Sequence, residues 1–306
     1  MNVTTRRDYK ILLEGVDASD LSLSVLRDLC ALLVEGSQRA ARLAVEGRSI
    51  ARGALPAWIA ACADLRIARY ASGSLDLAVS APPLHEAAPD IFTQQQFFPP
   101  LPNTDSTALD LLLGAADDAV SGRGDSDRID AGLLEVLVSA GGLFSRGSTK
   151  LSIGRIGSPA VVIDPSAARA IRAMAEATPT SRVGRVRGVL DAVTVSTRAF
   201  VLKLDAGNSL RGFTGAVPLD RLKSLLGNEV VVEGLVSFRP SGDALRIEVD
   251  HATLAKPADA IWARLPHVDV SKTPLVSSGP DLESVFGHWP GDESEEDIYR
   301  ALRELS

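Results

Sequence analysis

The chain has 306 residues, and few of them are of types that could do chemistry: four histidines, two cysteines and some paired carboxylates. Their spacing builds no catalytic constellation. His85, His251, His267 and His288 lie far apart. His85-Glu86 opens like the zinc motif His-Glu-x-x-His, but Ala87-Ala88-Pro89 follow and the second His is missing. Ser145-Arg-Gly-Ser-Thr-Lys150 lacks the first Gly and the Gly-Lys-Ser/Thr order of a phosphate-binding loop. Gly122-Arg-Gly-Asp-Ser126 reads as a polar turn. Asp117-Asp118 and Asp125/Asp127 read as solvated carboxylates at a helix end and in a loop, a far commoner role than metal binding. Cys30 and Cys62 have no metal-ligand spacing, and Cys30, inside an apolar helical pattern, is expected to be a buried core thiol. These observations predict no catalytic residue, no metal, no cofactor and no enzymatic activity.

The chemistry of recognition is better represented. Trp289-Pro-Gly-Asp-Glu-Ser-Glu-Glu-Asp-Ile-Tyr-Arg-Ala-Leu-Arg-Glu-Leu-Ser306 reads as a rigid turn and then a short acidic helix. Pro290-Gly291 supplies the turn. Ser294 suits an N-cap, with Asp297 three residues on as a variant capping box. Glu295, Glu296 and Asp297 lie in the first turn, where the helix dipole favours acids, and Arg300 and Arg303 come later, where it favours bases. Ile298, Ala301, Leu302 and Leu305 recur at i, i+3, i+4 and i+7, one helical face. About three turns of helix are marginal alone in water, so this face needs a surface to cover it. From Asp281 to Ser306 eight acids oppose two bases, which places −6 of the chain's −7 charge here and suggests steering toward a basic partner.

Residues 286–306, and within them the core Trp289-Pro-Gly-Asp-Glu293, resemble the C-terminal tails of bacterial antitoxins that neutralise PIN-domain ribonuclease toxins (VapBC-like modules). The resemblance covers under a tenth of the chain. It implies a protein partner, a PIN-type toxin encoded nearby. It also implies a docking surface made by Phe286, Trp289, Pro290, Asp292, Glu293, Ile298, Leu302 and Leu305. PIN nucleases hold divalent metal among carboxylates and bind RNA through basic residues, so an acidic tail would compete for that basic surface.

These residues must be carried by the elements before them. The length predicts about two domains. A content of 45% hydrophobic and 23% charged residues is ordinary for globular proteins. No apolar run is long enough for a membrane span, and the N-terminus lacks the apolar core of a signal peptide, so a cytoplasmic protein with no membrane role is expected. The predicted class is α+β. Residues 1–179 form an α+β domain with strands at 9–16, 65–71, 75–80, 150–153 and 160–163 and helices at 22–46, 105–121, 129–141 and 165–177. Gly73 turns the 65–80 hairpin, and residues 82–105, rich in Pro and Gln, read as a long surface loop.

Residues 182–256 give three strands (183–193, 199–204, 209–215), a helix (218–226) and two strands (229–238, 244–250), the order of a five-stranded OB-like barrel. Such barrels can bind oligonucleotides, which makes a nucleic-acid-binding adaptor the alternative reading, with Arg185, Arg187, Lys203 and Arg211 as its contacts. Against it, eleven bases oppose eight acids in this stretch, a weak +3 for tracking phosphates. Its three phenylalanines, Phe200, Phe213 and Phe238, alternate into core positions rather than forming a stacking platform. Residues 257–285, with four prolines, read as a flexible linker in which Trp262 tucks a short turn against the barrel, and 286–306 as the partner-binding tail.

Overall fold

The structure, a computed structural model, describes residues 5–16, 21–51, 53–71, 75–92, 102–195, 197–204 and 207–270. The tail, with Phe286, Trp289, Pro290, Asp292, Glu293, Ile298, Leu302 and Leu305, lies outside the described residues. So do His288, linker residues 271–285 and the hairpin turn at Gly73.

The described chain is α+β, with one open sheet and one closed barrel. Strand β1 (Arg7–Glu14) alternates in burial, with Tyr9, Ile11 and Leu13 turned inward, the period-two signature of a strand with one face covered. It is the centre of a five-stranded antiparallel sheet in the order β2-β3-β1-β4-β5, completed by β2 (Arg66–Ala71), β3 (Leu75–Ala81), β4 (Lys150–Arg155) and β5 (Val161–Ile163). The inward face packs on α1 (Leu23–Glu46), α5 (Ala108–Val120), α6 (Ala131–Ser139) and α8 (Pro165–Ala177). The outer face carries ion pairs such as Lys10–Asp76 at 3.0 Å and Lys150–Glu14 at 2.8 Å.

Helix α1 organises this body. Ser22 caps its start, accepting from the Ser24 N–H, and Val25, Leu29, Leu32, Leu33, Gly36, Ala40 and Leu43 form its buried stripe. Gly36 sits where a Cβ would come within 2.9 Å of Leu112, so its missing side chain lets α5 approach closely. Cys30 falls on the flank of that stripe and is exposed, not the buried thiol its apolar neighbours predict. The buried thiol is Cys62, on α2 (Ala57–Cys62), a helix with no clear sequence signal.

The Pro- and Gln-rich stretch is not loop throughout. Residues 84–92 form two single-turn helices, α3 (Leu84–Ala87) and α4 (Pro89–Phe92). Phe92 packs edge-on against Trp58, ring centroids 6.3 Å apart, in a small cluster behind α1. Proline is tolerated at the start of such turns, so its abundance here marks helix starts as much as coil. A further short helix, α7 (Gly141–Phe144), leads into β4.

The barrel closes in the order β10-β8-β7-β6-β9, from β6 (Arg182–Thr194), β7 (Ala199–Lys203), β8 (Ser209–Thr214), β9 (Glu229–Phe238) and β10 (Ala244–Leu254), with α9 (Leu219–Ser224) between β8 and β9. Its pairs are antiparallel except β8 with β10, a pattern consistent with an OB-like barrel. Phe200, Leu202, Val232, Ile247 and Val249 fill the interior. Gly212 lies under the Phe200 ring with no room for a Cβ, and Gly234 meets the Glu248 backbone in the same way.

The first part of the expected linker belongs to the barrel. Pro257–Trp262 form a 3-10 turn, with Trp262 about a third exposed. Beyond it the Val268 N–H donates to Gly242 O at 2.8 Å and the Ala244 N–H to Pro266 O at 2.9 Å. Leu265 and Val268 add to the barrel core. Backbone pairing and apolar contact hold this stretch despite its prolines. The described residues, 5–270, belong to one compact unit.

Candidate functional site

Arg185, Arg187, Lys203 and Arg211 all sit on the barrel's outer surface but do not form one basic track. Arg185 on β6 faces Glu233 on β9 across a paired register, with Nε donating to Oε2 at 2.7 Å. Arg187 donates to Glu229 Oε1 at 2.7 Å, and its guanidinium holds that carboxyl below the usual carboxylate range. Lys203 Nζ donates to Asp191 Oδ1 at 2.8 Å. Each exposed pair contributes little to stability, because solvent screens it, but each neutralises the cation a nucleic-acid phosphate would need.

Arg211 has different surroundings. In the outward row it lies beside Val201 on β7 and Arg246 on β10, and one step along Phe213 lies beside Ala199 and Glu248. In OB-type barrels the second and third strands are the usual oligonucleotide face. Here that row is turned toward the C-terminal end of α1. Helix α1 ends at Gly47 in the left-handed conformation, φ 68°, directly beneath the Phe213 ring. Phe213 is therefore buried by the helix-and-sheet body and not by the barrel interior, unlike Phe200 and Phe238.

Polar groups lock this seam. Arg246 donates to the Gly47 carbonyl, placing a cation at the negative end of α1, and to Asp130 Oδ2 at 3.1 Å. Asp130 is buried. Its Oδ1 accepts from the Leu133 N–H at 2.9 Å as the N-cap of α6, and its Oδ2 also accepts from the Ser49 N–H at 3.0 Å. Burial pulls the Arg246 pKa down, and Asp130 opposes that. Arg48 pairs with Glu248 at 3.4 Å, Arg239 Nε donates to Asp127 Oδ1 at 2.9 Å, and the Ser241 N–H donates to Gly124 O at 2.9 Å.

Beside the seam lies a cavity of about 580 Å³, floored by Leu43, Ala44 and Leu111 and walled by Asp127, Arg128 and Arg211. It shares Asp127 and Arg211 with a smaller hollow of about 120 Å³ that Arg239 and Arg246 also line. No sequence motif marks this site. Its residues come from α1, the stretch before α5, α5 itself, the loop after it and β8, and only the fold joins them.

The other candidate groups are structural. Asp118 is not solvated: it is buried, and its carboxylate takes Arg123 Nε at 2.7 Å as well as the Ser126 hydroxyl, which fixes the 121–128 turn. His85 Nδ1 bonds Thr104 O at 2.8 Å, and His267 Nδ1 bonds Asp243 at 2.9 Å. Burial pushes the Cys62 thiol up to about 12, which keeps it protonated and unreactive. Among the described residues no group of three or more His, Cys, Asp or Glu could hold a metal ion, and no helix is long and apolar enough to cross a membrane.

The chain is thus an α+β protein whose five-stranded barrel is fused along one face to a body of helices on an antiparallel sheet. Comparison with protein-family models, curated proteins and solved structures finds no match.

Proposed function

We propose that this protein is an antitoxin-like inhibitor whose acidic tail docks into a partner toxin, a ribonuclease of the PIN type in the cytoplasm, and that it is not itself an enzyme. The observation that carries the reading is the sequence of residues 286–306: the Trp289-Pro-Gly-Asp-Glu293 core, the helix-capping and apolar pattern after it, and −6 of the chain's charge concentrated from Asp281 onward. Trp289 would anchor in an apolar pocket, as interface aromatics commonly do. The helix would lay Ile298, Leu302 and Leu305 on the toxin, with Phe286 and Pro290 beside them. Asp292 and Glu293 would meet its RNA-binding cations. The alternative, an OB-type adaptor that recruits a nuclease or helicase to nucleic acid, has less support. Three of its four candidate cations are paired with carboxylates, and the fourth faces the seam.

The test is truncation before Phe286. The shortened chain should keep its melting temperature and lose neutralisation of the toxin encoded beside it. Trp289→Ala should weaken binding by about 2 kcal/mol. Leu302→Asp should do comparable damage by placing a charge on the buried face. A truncated chain that unfolds, or that still neutralises, overturns the reading.

A further inference from the structure

Arg211 is a half-buried cation with no carboxylate bonded to it among the described residues. Among the described residues it has no hydrogen-bond or ion-pair partner; burial pulls its pKa down, and the charge of Asp127 opposes that. The carboxylates that share its cavity are already committed. Asp127 accepts from Arg239 Nε at 2.9 Å. Asp110 closes the capping box of α5, accepting from the Thr107 N–H at 2.9 Å, and lies 4.0 Å from Arg155. Arg128, on the same wall, has Asp118 at 3.7 Å. On its other side Arg211 borders the 120 Å³ hollow, lined also by Arg239, which is bonded to Asp127, and by Arg246, which is bonded to Asp130. Withdrawing a charge from water without a partner is costly, so a fold keeps such a group where something else supplies the counter-charge.

We propose that this seam is a binding site for a small organic oxyanion, its phosphate or carboxylate head held by Arg211 at the arginine-lined hollow and its body in the adjoining 580 Å³ cavity. The planar guanidinium fork suits either head, because it can donate two parallel hydrogen bonds. The cavity's size is that of small-molecule sites, and its floor of Leu43, Ala44 and Leu111 gives the body apolar contact. The site is independent of the tail and of any toxin.

The experiment is thermal unfolding of the full chain at constant ionic strength with three probes: inorganic phosphate, adenosine 5′-monophosphate and succinate. At least one probe should raise the wild-type melting temperature by about 3 °C at saturating concentration. A larger shift with the nucleotide than with phosphate assigns an organophosphate, and a shift confined to succinate assigns a carboxylate; either supports the site. Arg211→Met should unfold no earlier than wild type without ligand, since it removes a partly desolvated charge that no described carboxylate pairs with, and should lose the shift. Arg211→Lys, which keeps the charge but not the fork, should retain only part of it. The proposal is overturned if no probe shifts the wild type, if Arg211→Met still responds, or if Arg211→Met alone lowers the melting temperature. In the last case the guanidinium is holding the fold, and Arg211→Lys would restore stability without ligand.

Discussion

Asp130 shows how much of this structure rests on single polar side chains. One carboxylate caps α6, orders the backbone after α1 through the Ser49 N–H, and neutralises Arg246 in a place where water is largely excluded. Losing an N-cap alone costs about 1 kcal/mol. Leaving Arg246 buried and unpaired adds about 3 kcal/mol or more. Asp130→Ala should therefore lower stability by about 4 kcal/mol in urea or thermal unfolding. Asp130→Ala combined with Arg246→Met should recover more than half of that, because the orphaned charge goes with its partner. Equal destabilisation in the single and double variants would show that the cap, and not the ion pair, sets the cost. Two arginines adjacent across β8 and β10 differ sharply: Arg246 is bonded to both Gly47 and Asp130, whereas Arg211 has no bonded partner among the described residues.

At the level of elements, the join between α1 and β8 is the most demanding contact. Gly47 combines a left-handed backbone with a Phe213 ring occupying the position of a Cβ. Gly47→Ala should cost more than the ~1 kcal/mol of a left-handed alanine, because the ring must also move. At Gly53, also left-handed but open around its Cα, the same change should cost only the backbone part, and urea midpoints of the two variants would separate the effects. The elements themselves were largely legible in the sequence. The α1 stripe, the β1 alternation and the strand–helix–strand order of the barrel all carry strong periodic signals. What was not legible depends on partners distant in the chain. Cys30 shares the apolar helical pattern, yet the stripe's axis passes beside it. Phe213 alternates correctly for a core residue but on the outward side, buried only because α1 ends against it. Asp118 reads as a surface acid until Arg123 and Ser126 fold back over it. The seam cavity has no local signature at all, since its residues come from separate segments between Ala40 and Arg211.

At the scale of the whole molecule, the sequence division into 1–179 and 182–256 marks two folding patterns but not two independent bodies. The barrel supplies the cation at the end of α1, and the helix-and-sheet body buries the barrel's Phe213. Each therefore completes a surface of the other, and separating them would expose an aromatic ring, strand a buried Arg246–Asp130 pair and open the Arg239–Asp127 and Arg48–Glu248 contacts. Domains joined this way unfold together when the interface free energy exceeds the stability difference between them. Calorimetry of the full chain should thus give one transition for residues 1–270, with calorimetric and van't Hoff enthalpies in agreement. Arg246→Met with Phe213→Ala, which removes the cap and the ring together, should split that transition in two, the barrel retaining its own core of Phe200, Val232 and Ile247. Two resolved transitions in the unmodified chain would mean that the seam is weak enough to open. The barrel's outer row would then be accessible to a ligand or a nucleic acid, and the adaptor reading would regain its ground.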